Sequence, residues 1–294
     1  MNDFESRLHE LTRQIELEIQ EGRLNFPTAF DVTIRVKKLA DNPDSTMEEM
    51  AKVVMSEPVL SAKVVRMANA VLLNPLGIKV SNVKDALVRI GLTTLRCLAF
   101  AVAAEQLAHD KRSPRMRMIA SGLWMHTLDV ACWAHALAQH TGHAKPDTAF
   151  FAAMMRNIGQ FFLLGRSGKL EDVDNHLDSF GQFVNRFHRS VRRALVDSFE
   201  LPEEIEAAMN DDHPEQPGVP PRTLAELLAL AEHASALPNP FDRLSSRSGA
   251  QPPARQPGAC LQSPVEKPPQ ADPLAELLET ARPHQIELLS TLGN

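Results

Sequence analysis

The strongest structural signal in the chain lies in residues 81–96, which read SNVKDALVRIGLTTLR. Ser81 is a typical helix-capping residue, and the apolar residues that follow it recur every three or four positions as far as Gly91. Glycine often ends a helix, and Thr93 or Thr94 is a suitable cap for the next one. We therefore expect two consecutive helices joined by a turn at Gly91.

The same three- and four-residue spacing extends over most of the chain. Thr46 and Thr223 each stand three residues before a glutamate, at the start of an amphipathic segment, which is the pattern of a capping box. No segment alternates between apolar and polar residues as a half-buried strand does. The sequence therefore predicts an all-α protein.

Length and charge narrow the class of protein. The chain has 294 residues, a formal net charge of −6 and 44% hydrophobic residues. That length is enough for one large or two small domains with a hydrophobic core. A net acidic charge argues against a protein that coats nucleic acid, because binding phosphates requires a basic surface. Nucleic acid is therefore not an expected partner.

Cysteine usage and hydropathy indicate the compartment. Cys97, Cys132 and Cys260 are an odd number without CxxC spacing, so neither a disulfide framework nor a zinc site is predicted. The N-terminus lacks the basic and apolar parts of a signal peptide. The most apolar stretch, residues 97–104, is too short to span a bilayer. These features predict a cytoplasmic protein without a membrane segment.

The prolines divide the chain, because proline cannot donate a backbone hydrogen bond inside a helix. Nine of the 21 prolines lie between residues 238 and 273, where large apolar groups are few. The predicted segments are an N-terminal amphipathic helix at 1–22, a helical body at 23–237, a flexible linker at 238–271, and an amphipathic helical tail at 272–294 interrupted at Pro283. The first helix either packs on the body or forms a homodimer seam. The tail either docks, on a partner or on the body, or is weakly ordered.

Five ordered segments of the body carry a family resemblance. They are the proline segment at 24–30, the turn at 41–44, the helix start at 56–58, the VRMANA stretch at 65–70, and residues 81–96. Together they resemble the HDOD domain, a bacterial relative of the HD phosphohydrolases, over about residues 25–237. The resemblance implies an all-α helical bundle with two helical subdomains, at 23–112 and 113–237.

The second half of the body resembles the metal-binding half of the HD fold. In HD phosphohydrolases a histidine, a His-Asp pair and a later aspartate hold divalent metals that activate a water. The resemblance places His126 at the first histidine and Glu232 near the last carboxylate, whereas Arg156-Asn157 replaces the His-Asp pair. Arginine cannot ligate a cation because it has only hydrogen-bond donors. The resemblance therefore implies a protein with no catalytic residue, no metal ligand and no cofactor.

The residual pocket has six candidate residues. They are His126, Arg156, Asn157, His188, His213 and Glu232. For each histidine the alternative is an ordinary polar residue at a helix surface or core edge. Arg156 lies in an apolar helix and needs a partner if it is buried, which Glu232 or Asp212 would supply. A positive charge in the pocket also suggests an anionic ligand such as a nucleotide phosphate.

The resemblance implies a role in bacterial signal transduction, where this domain often accompanies receiver or cyclic-dinucleotide domains. No such domain is recognised in the chain, so we expect a signalling protein that binds in trans. Two alternative functions are also compatible with the sequence. One is a metal-dependent HD phosphohydrolase. The other is a DNA-binding regulator that uses the helices around Gly91, although the second of them offers only Arg96 to contact bases.

Overall fold

The fold is seen in a computed structural model that describes residues 3–22, 24, 31–70, 73–74, 76–109, 113–198, 203–210, 218–246 and 273–292. Within these ranges the chain forms thirteen α-helices and no strand, which confirms the predicted all-α class. The helices are α1 (Asp3–Gln20), α2 (Asp31–Asp41), α3 (Met47–Met55), α4 (Pro58–Ala68), α5 (Val83–His109), α6 (Pro114–Thr141), α7 (Pro146–Arg156), α8 (Ile158–Arg166), α9 (Leu177–Ser198), α10 (Glu203–Asn210), α11 (Leu224–Ala234), α12 (Pro240–Ser246) and α13 (Pro273–Leu292).

Helices α2 to α5 pack on one another, and α5 joins them to the rest of the bundle by contacting α6, α7 and α8. The predicted capping box is present at α3, where the Thr46 hydroxyl accepts from the Glu49 backbone and the Glu49 carboxylate accepts from the Thr46 backbone. The predicted break in α5 is also present, because Gly91 has φ +76° and ψ 169°. Its cap differs from the prediction: the Asn82 side chain, and not Ser81, accepts the Asp85 N–H at 2.9 Å.

Helix α6 forms the centre of the second half and contacts α5, α7, α11 and α13. Ser113 caps its start with Pro114 in the first turn, and Gly142 ends it in the left-handed region at φ +68°. Almost every residue from Leu123 to Ala138 is buried. The side chains of α6 are therefore fixed in place by packing on several sides.

The apolar segment in which Arg156 lies forms two helices, α7 and α8. The first begins at Pro146, which occupies the first turn, and Lys145 is its N-cap. Asn157 then separates α7 from α8, since its ψ of 8° departs from helical geometry. Both helices are largely buried, as their apolar sequence predicts.

Helix α1 packs on the body, which was one of its two predicted arrangements. Phe4, Leu8, Leu11 and Ile15 are buried, and the helix contacts α9. An ion pair of 2.6 Å between Glu18 and Arg166 ties its end to α8. The apolar stripe of α1 is thereby covered within one chain.

The predicted linker begins too early, because residues 240–246 form α12 and pack on α9 and α6. The Phe241 ring is fully buried and lies 6.4 Å from the Phe180 ring. Asn239, just before the helix, hydrogen-bonds the buried Gln160 side chain at 3.0 Å. The prediction relied on the average composition of residues 238–271, which gave no weight to the single residue Phe241. Residues 247–272 lie outside the described part of the chain.

The tail is a single helix, so the predicted interruption at Pro283 is wrong. Helix α13 contacts α6 and α4, and it buries Ala281, Gln285 and Leu288. The Gln285 amide donates to the buried Asp129 carboxylate of α6 at 2.5 Å. This packing offsets the hydrogen bond that Pro283 removes from the helix. No helix in the described ranges is long and apolar enough to cross a membrane.

Candidate functional site

The candidate site lies where α6, the α7–α8 junction, α9 and α11 meet. Gly159 on α8 makes this arrangement possible, because a Cβ atom at that position would lie 2.0 Å from the His188 carbonyl oxygen of α9. Only glycine permits so close a backbone approach. The crossing brings Arg156 and Asn157 next to His188.

His126 is enclosed by α11 and the segment that follows it. Its side chain is 2% exposed, Nδ1 lies 2.7 Å from the Leu237 carbonyl oxygen, and Nε2 lies 3.1 Å from a Glu232 carboxylate oxygen. Burial disfavours the imidazolium, but the Glu232 carboxylate and the Leu237 carbonyl outweigh burial and raise the pKa of His126 above its ordinary value. The sequence prediction that His126 and Glu232 share a pocket is consistent with this contact.

Arg156 is the last residue of α7, and its Nη1 atom is sequestered from solvent without a hydrogen bond to any described residue. Burial lowers the pKa of its guanidinium, the charge of Glu232 opposes that shift, and Arg189 adds to it. Glu232 thus acts on Arg156 through its charge and also forms an ion pair with His126. The other predicted partner, Asp212, and the candidate His213 lie outside the described residues.

Asn157 has a structural role in this geometry. Its amide donates to the Thr127 hydroxyl of α6 at 2.9 Å, and its backbone separates α7 from α8. Thr127 is fully buried and follows His126 directly in the chain. Asn157 therefore holds the α7–α8 junction against α6, beside the imidazole.

His188 is surrounded by arginines. Burial, together with the positive charges of Arg192, Arg189 and Arg156, lowers its pKa to about 4. The imidazole is therefore neutral at pH 7. Its Nδ1 atom is buried and makes no hydrogen bond to a described residue.

Two arginines of the site, Arg189 and Arg192, were not predicted as site residues from the sequence. Arg192 donates to the Met209 carbonyl at 2.9 Å and to the Arg156 carbonyl at 3.4 Å. Both carbonyls belong to the last turn of a helix, where a positive charge is favourable. Arg192 thus holds α7 and α10 against α9. The run of three arginines within five residues after His188 was the available signal.

A second polar cluster was also missed. Asp129 lies one turn beyond His126 on α6, is buried, and accepts from Ser235 at 2.7 Å and from Gln285 at 2.5 Å. A carboxylate inside the apolar run at 128–138 was the signal that could have revealed it. The hydrogen bonds to both carboxylate oxygens make Asp129 an anchor for α13.

The donor set of the site does not fit a divalent metal ion. Arg156 places a guanidinium with an unsatisfied donor in it, and His126 is engaged by Leu237 and Glu232. In the described part of the chain, no group of three or more His, Cys, Asp or Glu side chains is arranged to hold a metal. No step of metal chemistry is therefore derived for these residues.

The sequence model of one family, the HDOD domain, matches residues 26–214, which is more than half of the chain. The five segments quoted from the sequence lie in or at the edge of this range. No curated protein matches the chain significantly.

Several solved structures share the fold. A Shewanella amazonensis protein provisionally described as a metal-dependent phosphohydrolase has a TM-score of 0.58 and 19% identity, with 95% of this chain and 99% of that chain covered. A Geobacter sulfurreducens protein described as an HDOD domain protein of unknown function has a TM-score of 0.51 and 24% identity, covering 98% and 94%. A Marinobacter aquaeolei protein provisionally described as a signal transduction protein has a TM-score of 0.51 and 19% identity, covering 99% of this chain and 65% of that chain. At these identities the likeness concerns the fold alone.

Proposed function

Because the chain belongs to the HDOD domain family, we propose that it is a non-catalytic signalling module that regulates a protein partner by binding it in trans. The observation that carries this proposal is the buried guanidinium of Arg156, which stands where the resemblance to HD phosphohydrolases would require a metal-binding histidine. A fixed positive charge at this point repels a metal ion.

The remaining candidate groups do not supply metal-free hydrolysis either. The carboxylate of Glu232 is paired with His126, which favours a protonated imidazole. A protonated imidazole cannot act as a general base, and the Glu232 carboxylate is engaged with it. The neutral His188 has a pKa of about 4, which makes it a weak base at pH 7.

An exposed apolar patch provides a surface for partner binding. We define the α5 patch as Leu76, Ile78, Val88 and Leu92, which are between 39% and 82% exposed. Its parts are adjacent, because Arg89 of α5 donates to the Ile78 carbonyl at 2.8 Å. Clustered exposed apolar side chains are typical of protein–protein interfaces.

The loop that carries half of the α5 patch is held in one conformation. The Asn69 side chain accepts from the Val80 N–H at 2.8 Å and donates to the Val80 carbonyl at 2.7 Å. Arg89 also donates to the Ala68 carbonyl at 3.1 Å. A preorganised surface of this kind loses little conformational entropy on binding.

These contacts argue against the DNA-binding alternative. The Arg89 guanidinium is engaged with the carbonyls of Ala68 and Ile78, so it does not reach outward to bases. Thr94, at the start of the second half of α5, is buried. The phosphohydrolase alternative is tested by measuring bound metal and phosphodiester hydrolysis.

The absence of catalysis is tested with the purified full-length chain. We expect no bound Mn²⁺, Zn²⁺ or Fe by elemental analysis, and no hydrolysis of bis(p-nitrophenyl) phosphate or of cyclic dinucleotides with added Mg²⁺ or Mn²⁺. The control is a variant that restores the family pair, Arg156→His with Asn157→Asp. Turnover by the wild-type chain that is lost in His126→Ala would overturn the proposal.

Partner binding is tested by affinity capture from a bacterial lysate with three baits. We expect a defined protein to be retained by the wild-type chain and lost from a variant with Ile78→Asp and Val88→Asp. Met118→Asp is the matched control, since Met118 is an exposed apolar residue of α6 outside the α5 patch. Equal retention by all three baits would exclude the α5 patch as the binding surface.

A further inference from the structure

Nε2 of His126 faces the Glu232 carboxylate at 3.1 Å, and two other buried nitrogen atoms of the site lack a hydrogen bond to the described residues. They are Nη1 of Arg156 and Nδ1 of His188, on α7 and α9. Buried polar groups are nearly always satisfied, by protein, by water or by a ligand. Two unsatisfied nitrogens in one neighbourhood therefore indicate a place for a further group.

The charge around these atoms specifies the kind of group. Burial and the positive charges of Arg192, Arg189 and Arg156 together lower the pKa of His188 and keep its imidazole neutral. The carboxylate of Glu232 acts on Arg156 through its charge, and it also lies 3.1 Å from His126. The space beside Arg156 and His188 is thus positive in potential and has donors to offer.

We propose that Arg156, His188 and Arg189 form a binding site for a phosphate-bearing small anion. Guanidinium groups present several N–H donors in a fixed plane, which suits the oxygens of a phosphate better than a single point charge does. Neutral His188 offers a further donor when Nδ1 carries its proton. Arg189, which follows His188 directly in the chain, is exposed to solvent.

The site is preorganised by Arg192. That side chain is fixed by the carbonyls of Met209 and Arg156, so it holds the end of α7 against α9. A phosphate held between Arg156 and His188 bridges the same two helices. Binding therefore stabilises the α7–α9 junction against unfolding.

The inference rests on the proposed function in one respect, which is that the anion is held and not hydrolysed. Inorganic phosphate and the phosphate of a nucleotide share the chemistry that the site recognises. AMP therefore serves as the second probe beside inorganic phosphate, with chloride at equal ionic strength as the reference.

The test is thermal unfolding and calorimetry of the full-length chain with each probe. We expect a rise of about 3 °C in Tm when the phosphate-bearing probe is present at about ten times its Kd. Arg156→Met removes the guanidinium and leaves a side chain of similar length. The rise in Tm should disappear in this variant. Arg186→Met is the control, because Arg186 is an exposed arginine of the same helix as His188.

A second readout does not depend on the stability of Arg156→Met. The imidazole signals of His188 in wild-type protein, assigned with His188→Gln, should titrate at higher pH when phosphate is bound, because a nearby anion favours the imidazolium. Tighter binding of AMP than of phosphate supports a nucleotide, and equal binding supports free phosphate.

The failures of the two proposals are distinguishable. No calorimetric heat and no Tm rise with either probe, or a His188 titration unchanged by phosphate, overturns the anion site and leaves the non-catalytic module standing. Hydrolysis of a bound phosphoester overturns the non-catalytic module and leaves the anion site standing. Binding that is equal in wild type and Arg156→Met also overturns the site as assigned.

Discussion

At the scale of single residues, the site holds the buried His126 and the half-buried His188, whose pKa values shift in opposite directions. The carboxylate of Glu232 raises the pKa of His126, whereas burial and three arginines lower the pKa of His188 to about 4. The difference follows from the sign of the neighbouring charges and not from the depth of burial. Because of these shifts, the folding free energy depends on pH. Substituting one histidine at a time separates the contribution of His126 from that of His188.

Acid should destabilise the fold through His188. As the pH falls from about 6.5 toward 4, the unfolded chain takes up a proton at this histidine and the folded chain does not. Stability that is present above pH 6.5 is therefore lost, by about 3 kcal/mol in total for this group. His126 contributes in the opposite sense, since its stabilisation is complete below the unfolded pKa and is lost as the pH rises through the folded pKa.

The measurement is urea unfolding of wild type and His188→Gln at pH 7.0, 6.0, 5.0 and 4.5. The free energy of unfolding should fall less steeply with acidification in the variant. Parallel curves for the two proteins would show that His188 has an ordinary pKa in the folded state.

At the scale of helices, the site depends on the close crossing of α8 and α9. The position of a Cβ on Gly159 is occupied by the backbone of His188 and Arg192, at 2.0 Å and 3.1 Å. Backbone cannot rotate away as a flexible side chain would, so any larger residue must push the helices apart. The separation of Arg156 from His188 is therefore set by this one glycine.

Gly159→Ala should destabilise the fold by about 3 kcal/mol or more through this overlap. Gly168→Ala is the matched control, because a Cβ at Gly168 meets no atom within 4 Å. Guanidinium chloride unfolding of both variants gives the comparison. A Gly159→Ala protein as stable as the control would mean that the crossing is looser than described.

At the scale of the whole molecule, the body extends beyond its predicted end. Helix α12 covers α9 and α6, and α13 covers α6 and α4, so residues after 237 complete the core. Asp129 and Gln285, which are 156 positions apart in the chain, join α6 to α13. The bundle is therefore closed by its C-terminal region.

Phe241→Ala should cost about 3–5 kcal/mol, as expected for a large-to-small change at a fully buried phenylalanine. Arg243→Ala, at an exposed position of the same short helix, should change stability little. Differential scanning calorimetry of both variants measures the difference. A loss of stability below about 1 kcal/mol for Phe241→Ala would mean that α12 is part of the linker and not of the packed body.

Much of the secondary structure could be predicted, because it depends on neighbours within a few positions. The cap at Thr46, the break at Gly91 and the start at Ser113 each follow from a local hydrogen bond or a backbone preference. The continuity of α13 through Pro283 could not be predicted, since it depends on packing against α6. The anchoring of α12 by Phe241 depends likewise on a partner helix.

The sequence by itself determined that the protein is all-α, that it resembles the HDOD domain, and that Arg156-Asn157 stands in place of a His-Asp pair. Those conclusions rest on residue identity and spacing, which are properties of the chain before it folds. Only the tertiary structure decided that Glu232 contacts His126, that Asn157 binds Thr127, and that three arginines surround His188. Charges and donors on different helices interact according to their distance in space, and that distance is set by helix packing such as the Gly159 crossing.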